Sequence, residues 1–338
     1  MINKFQQIPI HRTYKISLLF WMFFFGVTSC SDGTNNVSDK VSDLPISQNI
    51  PQHWESFYSR EEDKFLNKDG AKLYYQVFRP KAEAKKVLVV HHGFGEHGGR
   101  YLNLVDALAE TGYIIYLIDA RGHGRSDGER GVVGHFSDFF ADLKQLIDIA
   151  KHKENVNKVT LMGHSMGAVI TFLYASTDNY QDDLNGLVTS GLAIKVKTDF
   201  VMKIKKIIGA LLATSMPTLT LNTGLDVNML SHDKSVVEAY INDPLFHDDI
   251  STYLGDFLLN SYEPALLAAG RITIPIYMFH GKEDQVALFE GTIDAFENVA
   301  SKDKTMKIFA GLFHATMNET PDERKIVFKA LIEWLDKH

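Results

Sequence analysis

The chain has 338 residues, 45% of them hydrophobic, enough to bury one large core or two modest ones. A formal net charge of -7 and a pI near 6.0 argue against nucleic acid as a principal partner. No internal repeat and no long block of like charge is visible, which excludes solenoid architectures and charged binding tails.

In chain order, His11, Arg12 and Lys15 precede ISLLFWMFFFGV (Ile16–Val27). As a helix this run reaches about 18 Å, short of a hydrocarbon core of roughly 30 Å. Its charged start and apolar centre predict a signal peptide over residues 1–29. Val27-Thr28-Ser29-Cys30 resembles the lipobox of bacterial lipoproteins. That resemblance implies cleavage before Cys30, lipidation of its sulfur, and attachment to a membrane of the bacterial cell envelope, outside the cytoplasm. The plainer alternative is a stray or buried free thiol. Cys30 is the sole cysteine, so no intrachain disulfide can form. Residues 30–52, rich in Ser, Asp and Asn, read as a flexible tether, with order beginning near His53.

Lys64–Arg79 alternates on both sides of Lys68-Asp69-Gly70, a hairpin signal. KKVLVV (Lys85–Val90) is a buried strand and runs into HHGFGEHGGRY (His91–Tyr101). Tyr101–Thr111 has helical spacing and stops at Gly112, and Tyr113–Ile118 is a second buried strand. Phe136–His152 predicts a helix capped by Ser137. Lys158–Met162 is a strand and Ala168–Ala175 a helix. Further strands follow at Leu184–Ser190, Ile274–Phe279 and Thr305–Ala310, and Pro321–Asp336 closes the chain as a helix. The alternation predicts an α/β fold, a parallel sheet covered on both faces, over residues 53–192 and 263–338. Residues 193–262 contain no clear βα unit and read as an inserted, mainly helical cap.

Gly163-His164-Ser165-Met166-Gly167 lies between a β-rich stretch and a helical one, so G-x-S-x-G falls on a sharp strand-to-helix turn. A serine cap for the following helix would leave both glycines unexplained. A nucleophilic serine needs a base and an orienting acid, in this topology in the chain order acid, then histidine. Asp284 follows one strand end and His314 another, on the same sheet edge as Ser165. His280 and His164 compete as bases, and Asp256 and Glu283 as acids. The preferred set is Ser165, His314 and Asp284.

His92 and His97 stand five apart in a glycine-rich loop, not at the helical spacing of a zinc site, and no G-x-x-x-x-G-K-[ST] phosphate loop is present. No metal is predicted. The glycine loop and G-x-S-x-G together resemble those of an α/β-hydrolase, and that resemblance implies an oxyanion hole made by the backbone N–H groups of Phe94, in this loop, and Met166, after the nucleophile. Asp119, His123 and Asp127 in DARGHGRSDGER (Asp119–Arg130) suggest a second metal site, or a turn-rich loop with Arg and Asp paired locally; the loop is preferred.

HGFGEHGGRY, DARGHGRSDGER, GHSMG, HGKEDQV and the late Phe313-His314, in this order, resemble the monoacylglycerol lipase, or lysophospholipase-like, branch of the serine α/β-hydrolases. The likeness runs from about Lys64 to the C-terminus. It implies an eight-stranded core, a mobile cap, no cofactor, and hydrolysis of monoacylglycerol or similar single-chain lipid esters through an acyl-enzyme. Ala168 stands where a third glycine is common, and the cap matches less closely. Alternatives are a lysophospholipase or general esterase, or an inactive surface-binding module. In the cap, Lys203–Met216 carries an apolar helical face with Leu211 expected toward an acyl tunnel. Lys203, Lys205 and Lys206 are expected toward an anionic lipid surface.

Overall fold

Continuous apolar runs on β-prone segments, such as YIIYLI (Tyr113–Ile118), build the centre of the protein. The computed structural model describes residues 52–84, 86–177, 179–197 and 210–338. The expected signal segment, Cys30, nearly all of the expected tether, and Lys203, Lys205 and Lys206 lie outside the described residues. Strands β1 (Tyr58–Leu66) and β2 (Lys72–Pro80) form the expected antiparallel hairpin. Asn67 sets its turn, accepting hydrogen bonds from the amides of Asp69 and Ala71 at 3.0 and 2.9 Å.

The remaining strands of the main sheet are β3 (Lys86–His91), β4 (Tyr113–Ile118), β5 (Val159–His164), β6 (Leu184–Ser190), β9 (Ile276–Gly281) and β10 (Lys304–Phe309). Their order is β1-β2-β4-β3-β5-β6-β9-β10. β2 is antiparallel to both neighbours, and every other pairing is parallel.

Helices cover both faces, as the strand–helix alternation predicts. Val87 and Val89 of β3 point to one apolar cluster, with α2 (Ser137–Glu154) and α3 (Met166–Ala175). Leu88 and Val90 point to the other, with α1 (Leu102–Ala107) and the last helix (Pro321–Leu335). Because successive side chains leave a strand on opposite faces, an all-apolar strand needs cover on both. One local expectation fails. Ser137 is the first residue of α2 rather than its cap, and Phe136 holds the cap position with helical angles and no side-chain hydrogen bond. The Asp138 carboxylate instead accepts the His135 amide at 2.9 Å.

Between β6 and β9 the chain leaves the sheet. Residues 210–215 are helical, and α4 (Lys234–Ile241), α5 (Thr252–Leu259) and α6 (Tyr262–Ala269) follow. The sequence did not reveal the small antiparallel pair β7 (Thr220–Asn222) and β8 (Asp249–Ser251). Backbone bonds seat this segment on the sheet's loops: His247 N to Gly95 O (3.0 Å), Ser251 N to Gly131 O (3.0 Å) and Ala315 N to Leu230 O (2.8 Å). α7 (Phe289–Asn298) and α8 (Pro321–Leu335) complete the fold.

Candidate active site

The parallel strands end on one edge, and the loops beyond β3, β5, β9 and β10 meet there. Ser165 sits between β5 and α3 with φ +53° and ψ -119°, a left-handed conformation unfavourable for a non-glycine residue. The flanking glycines permit this turn. A Cβ on Gly163 would lie 2.3 Å from the Gly167 carbonyl oxygen, and one on Gly167 would lie 2.3 Å from that of His92. Their role is close backbone approach, as the G-x-S-x-G spacing suggests.

His314 follows β10, and its Nε2 lies 2.8 Å from Ser165 Oγ. Its Nδ1 lies 2.6 Å from Asp284 Oδ2, in the loop after β9. Asp284 Oδ1 accepts the amides of Val286 (2.8 Å) and Ala287 (2.9 Å). The structure therefore brings Ser165, His314 and Asp284 into one hydrogen-bonded chain. Burial pushes the Asp284 carboxyl up, but His314 and the hydrogen bonds from His280 and His314 outweigh it and hold the group far below the ordinary carboxylate range. His314 moves the other way: burial pushes its imidazole down, and the Asp284 carboxylate beside it wins and raises it.

The competing candidates lie elsewhere. His280 is fully buried on β9 and bonds Asp284, not Ser165. His164 places Nδ1 3.2 Å from the Ser190 carbonyl, and burial, then His314, push it down to about 4. Its ring stands 4.9 Å from that of His314, so it lines the cavity as a neutral neighbour. Glu283 is exposed, and Asp256 lies on α5, where it accepts the Asn260 side chain at 2.9 Å.

The glycine loop after β3 closes over Ser165. A side chain on Gly93 would come within 3.2 Å of Ser165 Cβ. Phe94 follows in this loop, its ring edge-on to His123 and His247. Met166 opens α3, where an amide has no carbonyl one turn earlier to bond. The loop histidines hold the backbone. His92 donates from Nδ1 to the Gly93 carbonyl (2.6 Å) and accepts the Ala120 amide at Nε2 (2.9 Å). His97 donates from Nε2 to Asp243 of the cap segment at 2.9 Å.

Glu96 is a site residue that sequence reasoning missed. Its carboxylate is buried in the cavity wall and accepts Gly93 N (2.7 Å), Tyr101 Oη (2.6 Å) and Tyr240 Oη (2.8 Å). Burial pushes this carboxyl up, but His164 and those three bonds together hold it below the ordinary range. Glu96 thus ties the loop beside Ser165 to α4 of the cap segment. An acid inside H-G-x-G-E-H was the available signal, but Tyr240 is 144 residues away.

The loop 119–130 also differs from expectation. Asp119 accepts the Gly98 and Arg125 amides, each at 2.8 Å, and Asp127 accepts the Lys72 amide at 2.9 Å. Arg130 stays local, donating to the Gly124 carbonyl at 2.7 Å, whereas Arg121 reaches Asp142 on α2 and Asp69 in the hairpin, and Arg125 reaches Glu62. The loop is long enough for its side chains to find carboxylates on other elements.

Among the described residues, two groups gather three possible metal-ligand atoms: His280, Asp284 and His314, and His232, Glu319 and Glu323. In the first, both imidazoles already bond the Asp284 carboxylate. In the second, Glu319 already accepts Phe313 N, Ser231 Oγ and His232 N.

The cavity beside Ser165 is otherwise walled by apolar groups, chiefly Leu225, Leu230, Phe246 and Val286. Leu211 is not among them. It is 69% exposed, which corrects its expected place in an acyl tunnel. Helical spacing shows which residues share a face, not what that face meets.

A strained elbow serine bonded to histidine, and histidine to a buried carboxylate at the edge of this sheet, defines a serine hydrolase of the α/β-hydrolase fold. The family model described as serine aminopeptidase, S33, matches residues 82–321. The chain belongs to this family, within its monoacylglycerol lipase-like branch. It is 30% identical over 284 residues to a monoacylglycerol lipase of Mycolicibacterium smegmatis, covering 83% of this chain and 98% of that protein. The crystal structure of a Paleococcus ferrophilus monoacylglycerol lipase is similar at TM-score 0.71 and 32% identity, over 79% of this chain and 99% of the other. A soluble variant of the Saccharomyces cerevisiae monoglyceride lipase is similar at TM-score 0.74 and 25% identity, over 88% and 98%.

Proposed function

We propose that the protein is a serine carboxylester hydrolase that cleaves monoacylglycerol or similar single-chain lipid esters. The observation that carries this is the Ser165–His314–Asp284 chain opening into a largely apolar cavity. Relatives named as monoacylglycerol lipases, aligned over about four-fifths of the chain, support the substrate class.

In the proposed mechanism Ser165 Oγ attacks the ester carbonyl carbon while His314 Nε2 takes its proton. The carbonyl oxygen becomes an oxyanion and accepts the backbone N–H groups of Phe94 and Met166. Collapse breaks the bond to the glycerol oxygen, which takes the proton from His314. Water, deprotonated by the same imidazole, then attacks the acyl-enzyme, releasing fatty acid and restoring Ser165. Asp284 stays ionised throughout and orients the imidazole.

The proposed location is the bacterial cell envelope, with Cys30 lipidated and the cap meeting the lipid surface; the lipobox likeness V-T-S-C supports it. Among the described residues, no helix is long and apolar enough to cross a membrane. The test of activity is an ester panel varied in acyl length and headgroup, with lysophospholipid and an aminoacyl amide included. Preference for monoacylglycerol is the expected result. Faster turnover of lysophospholipid or of the amide would overturn the substrate class.

A further inference from the structure

His280 has no step in that mechanism, yet it is buried against the same carboxylate as His314. Its Nε2 lies 2.8 Å from Asp284 Oδ2 and 3.0 Å from the Ala287 carbonyl oxygen. With Asp284 ionised, both are acceptors only, so Nε2 carries the proton. On the other side, Nδ1 lies 2.7 Å from Thr292 Oγ1 of α7. In the tautomer that carries its proton on Nε2, the threonine hydroxyl donates to Nδ1. Asp284 Oδ2 therefore receives two imidazole N–H groups, from His280 and from His314, while Oδ1 receives two amides.

We infer that His280, held in its tautomer by Thr292, is a positioning residue: by sharing Asp284 Oδ2 with His314 it fixes the carboxylate's rotation and limits how tightly Asp284 holds the His314 proton. The inference rests on the triad proposed above. Each donor on Oδ2 draws charge from that oxygen. Without His280, a protonated His314 faces a fuller carboxylate charge and gives up its proton only at higher pH. The free base then appears later, and the acid limb of kcat/KM moves up. The titratable groups facing His314 are Asp284, Glu96 and His164, with His232 and Glu319 gripping the adjacent Phe313. Among the described residues, the one charged group bonded to His280 is Asp284. Substitution at His280 removes none of these others.

Two amides separate this role from mere packing. A glutamine amide nitrogen is three bonds from Cβ, as is histidine Nε2; an asparagine amide nitrogen is two, as is Nδ1. His280→Asn should therefore lose the Asp284 bond, and His280→Gln should keep it. The experiment measures kcat/KM against pH on a water-soluble short-chain nitrophenyl ester, using full-length protein whose competent fraction is counted by fluorophosphonate labelling. The Asn variant should move the acid limb up by about half a pH unit or more, with Gln returning it to the wild-type position. Should the Asn variant not fold, Thr292→Val takes its place, since an unpinned ring leaves Asp284 and gives a shift of the same sign. An unmoved limb in labelled Asn or Val protein, or equal limbs for Asn and Gln, would overturn the inference. The triad assignment fails separately, if wild-type protein does not label or Ser165→Ala stays active.

Discussion

Glu319 Oε1 accepts a hydrogen bond from the backbone amide of Phe313, the residue before His314, at 2.7 Å. Its other oxygen accepts Ser231 Oγ (3.0 Å) and His232 N (2.7 Å) from the segment between β6 and β9. A buried carboxylate thus grips the histidine loop with one hand and the cap segment with the other.

Glu319→Gln should separate those two grips. The amide nitrogen replaces one acceptor with a donor, leaving a buried N–H unpaired at a cost of about 1–3 kcal/mol. The expected result is a lower Tm together with roughly tenfold slower turnover of a short soluble ester, because His314 loses its register. A lower Tm with unchanged kcat would make Glu319 structural only.

Ser165→Ala and His314→Ala should each reduce ester hydrolysis by several orders of magnitude, and the double variant should be little worse, because such residues act as a unit. Asp284→Asn should be damaging and Asp256→Asn mild, since Asp284 bonds His314 and Asp256 bonds Asn260. Additive losses in the double variant would count against a concerted role.

The pH dependence follows from the two opposed shifts. His314 must be neutral to accept the serine proton, and Asp284 raises its proton affinity. Activity should therefore fall as pH drops through a value above the ordinary histidine value of about 6.5. In Asp284→Asn the residual activity should show its acid limb at lower pH, since the raising charge is gone. An acid limb in the carboxylate range would point to a different titrating group.

Acyl selectivity should lie in the cavity wall. Each buried methylene is worth about 0.8 kcal/mol, so two more acyl carbons could raise kcat/KM by up to roughly tenfold. Leu225→Asp, in the wall, should abolish that gain while sparing an acetate ester. Leu211→Asp, on an exposed position, should leave the ratio on dispersed esters unchanged. Equal losses on short and long esters in Leu225→Asp would place the acyl path elsewhere.

Cys30→Ser tests the proposed anchor. One acyl chain holds a protein weakly, whereas the two or three on a lipoprotein cysteine hold it firmly. Cell fractionation should show the wild type with membranes and the variant released or retained as uncleaved precursor. Fully soluble wild-type protein with an intact N-terminus would refute the lipobox.

The residues that could be read from sequence alone are those whose roles depend on local order. Strand periodicity, the paired glycines around Ser165, and an acid then a histidine after later strands are short-range patterns. They carried the α/β fold and brought Ser165, Asp284 and His314 into view. Tertiary structure decided the rest, because its determinants are contacts across long separations. Glu96 meets Tyr240 across 144 residues, and Glu319 meets Ser231 across 88. No periodicity encodes such a pairing. The same limit explains Leu211, whose helical face was legible but not its surroundings, and His280. As a histidine beside Asp284 it read as a rival base until packing aimed its Nε2 at the carboxylate and its Nδ1 at Thr292. Sequence sets which groups a segment can offer; the folded chain sets which atom each one faces, and hydrogen-bond chemistry depends on the atom.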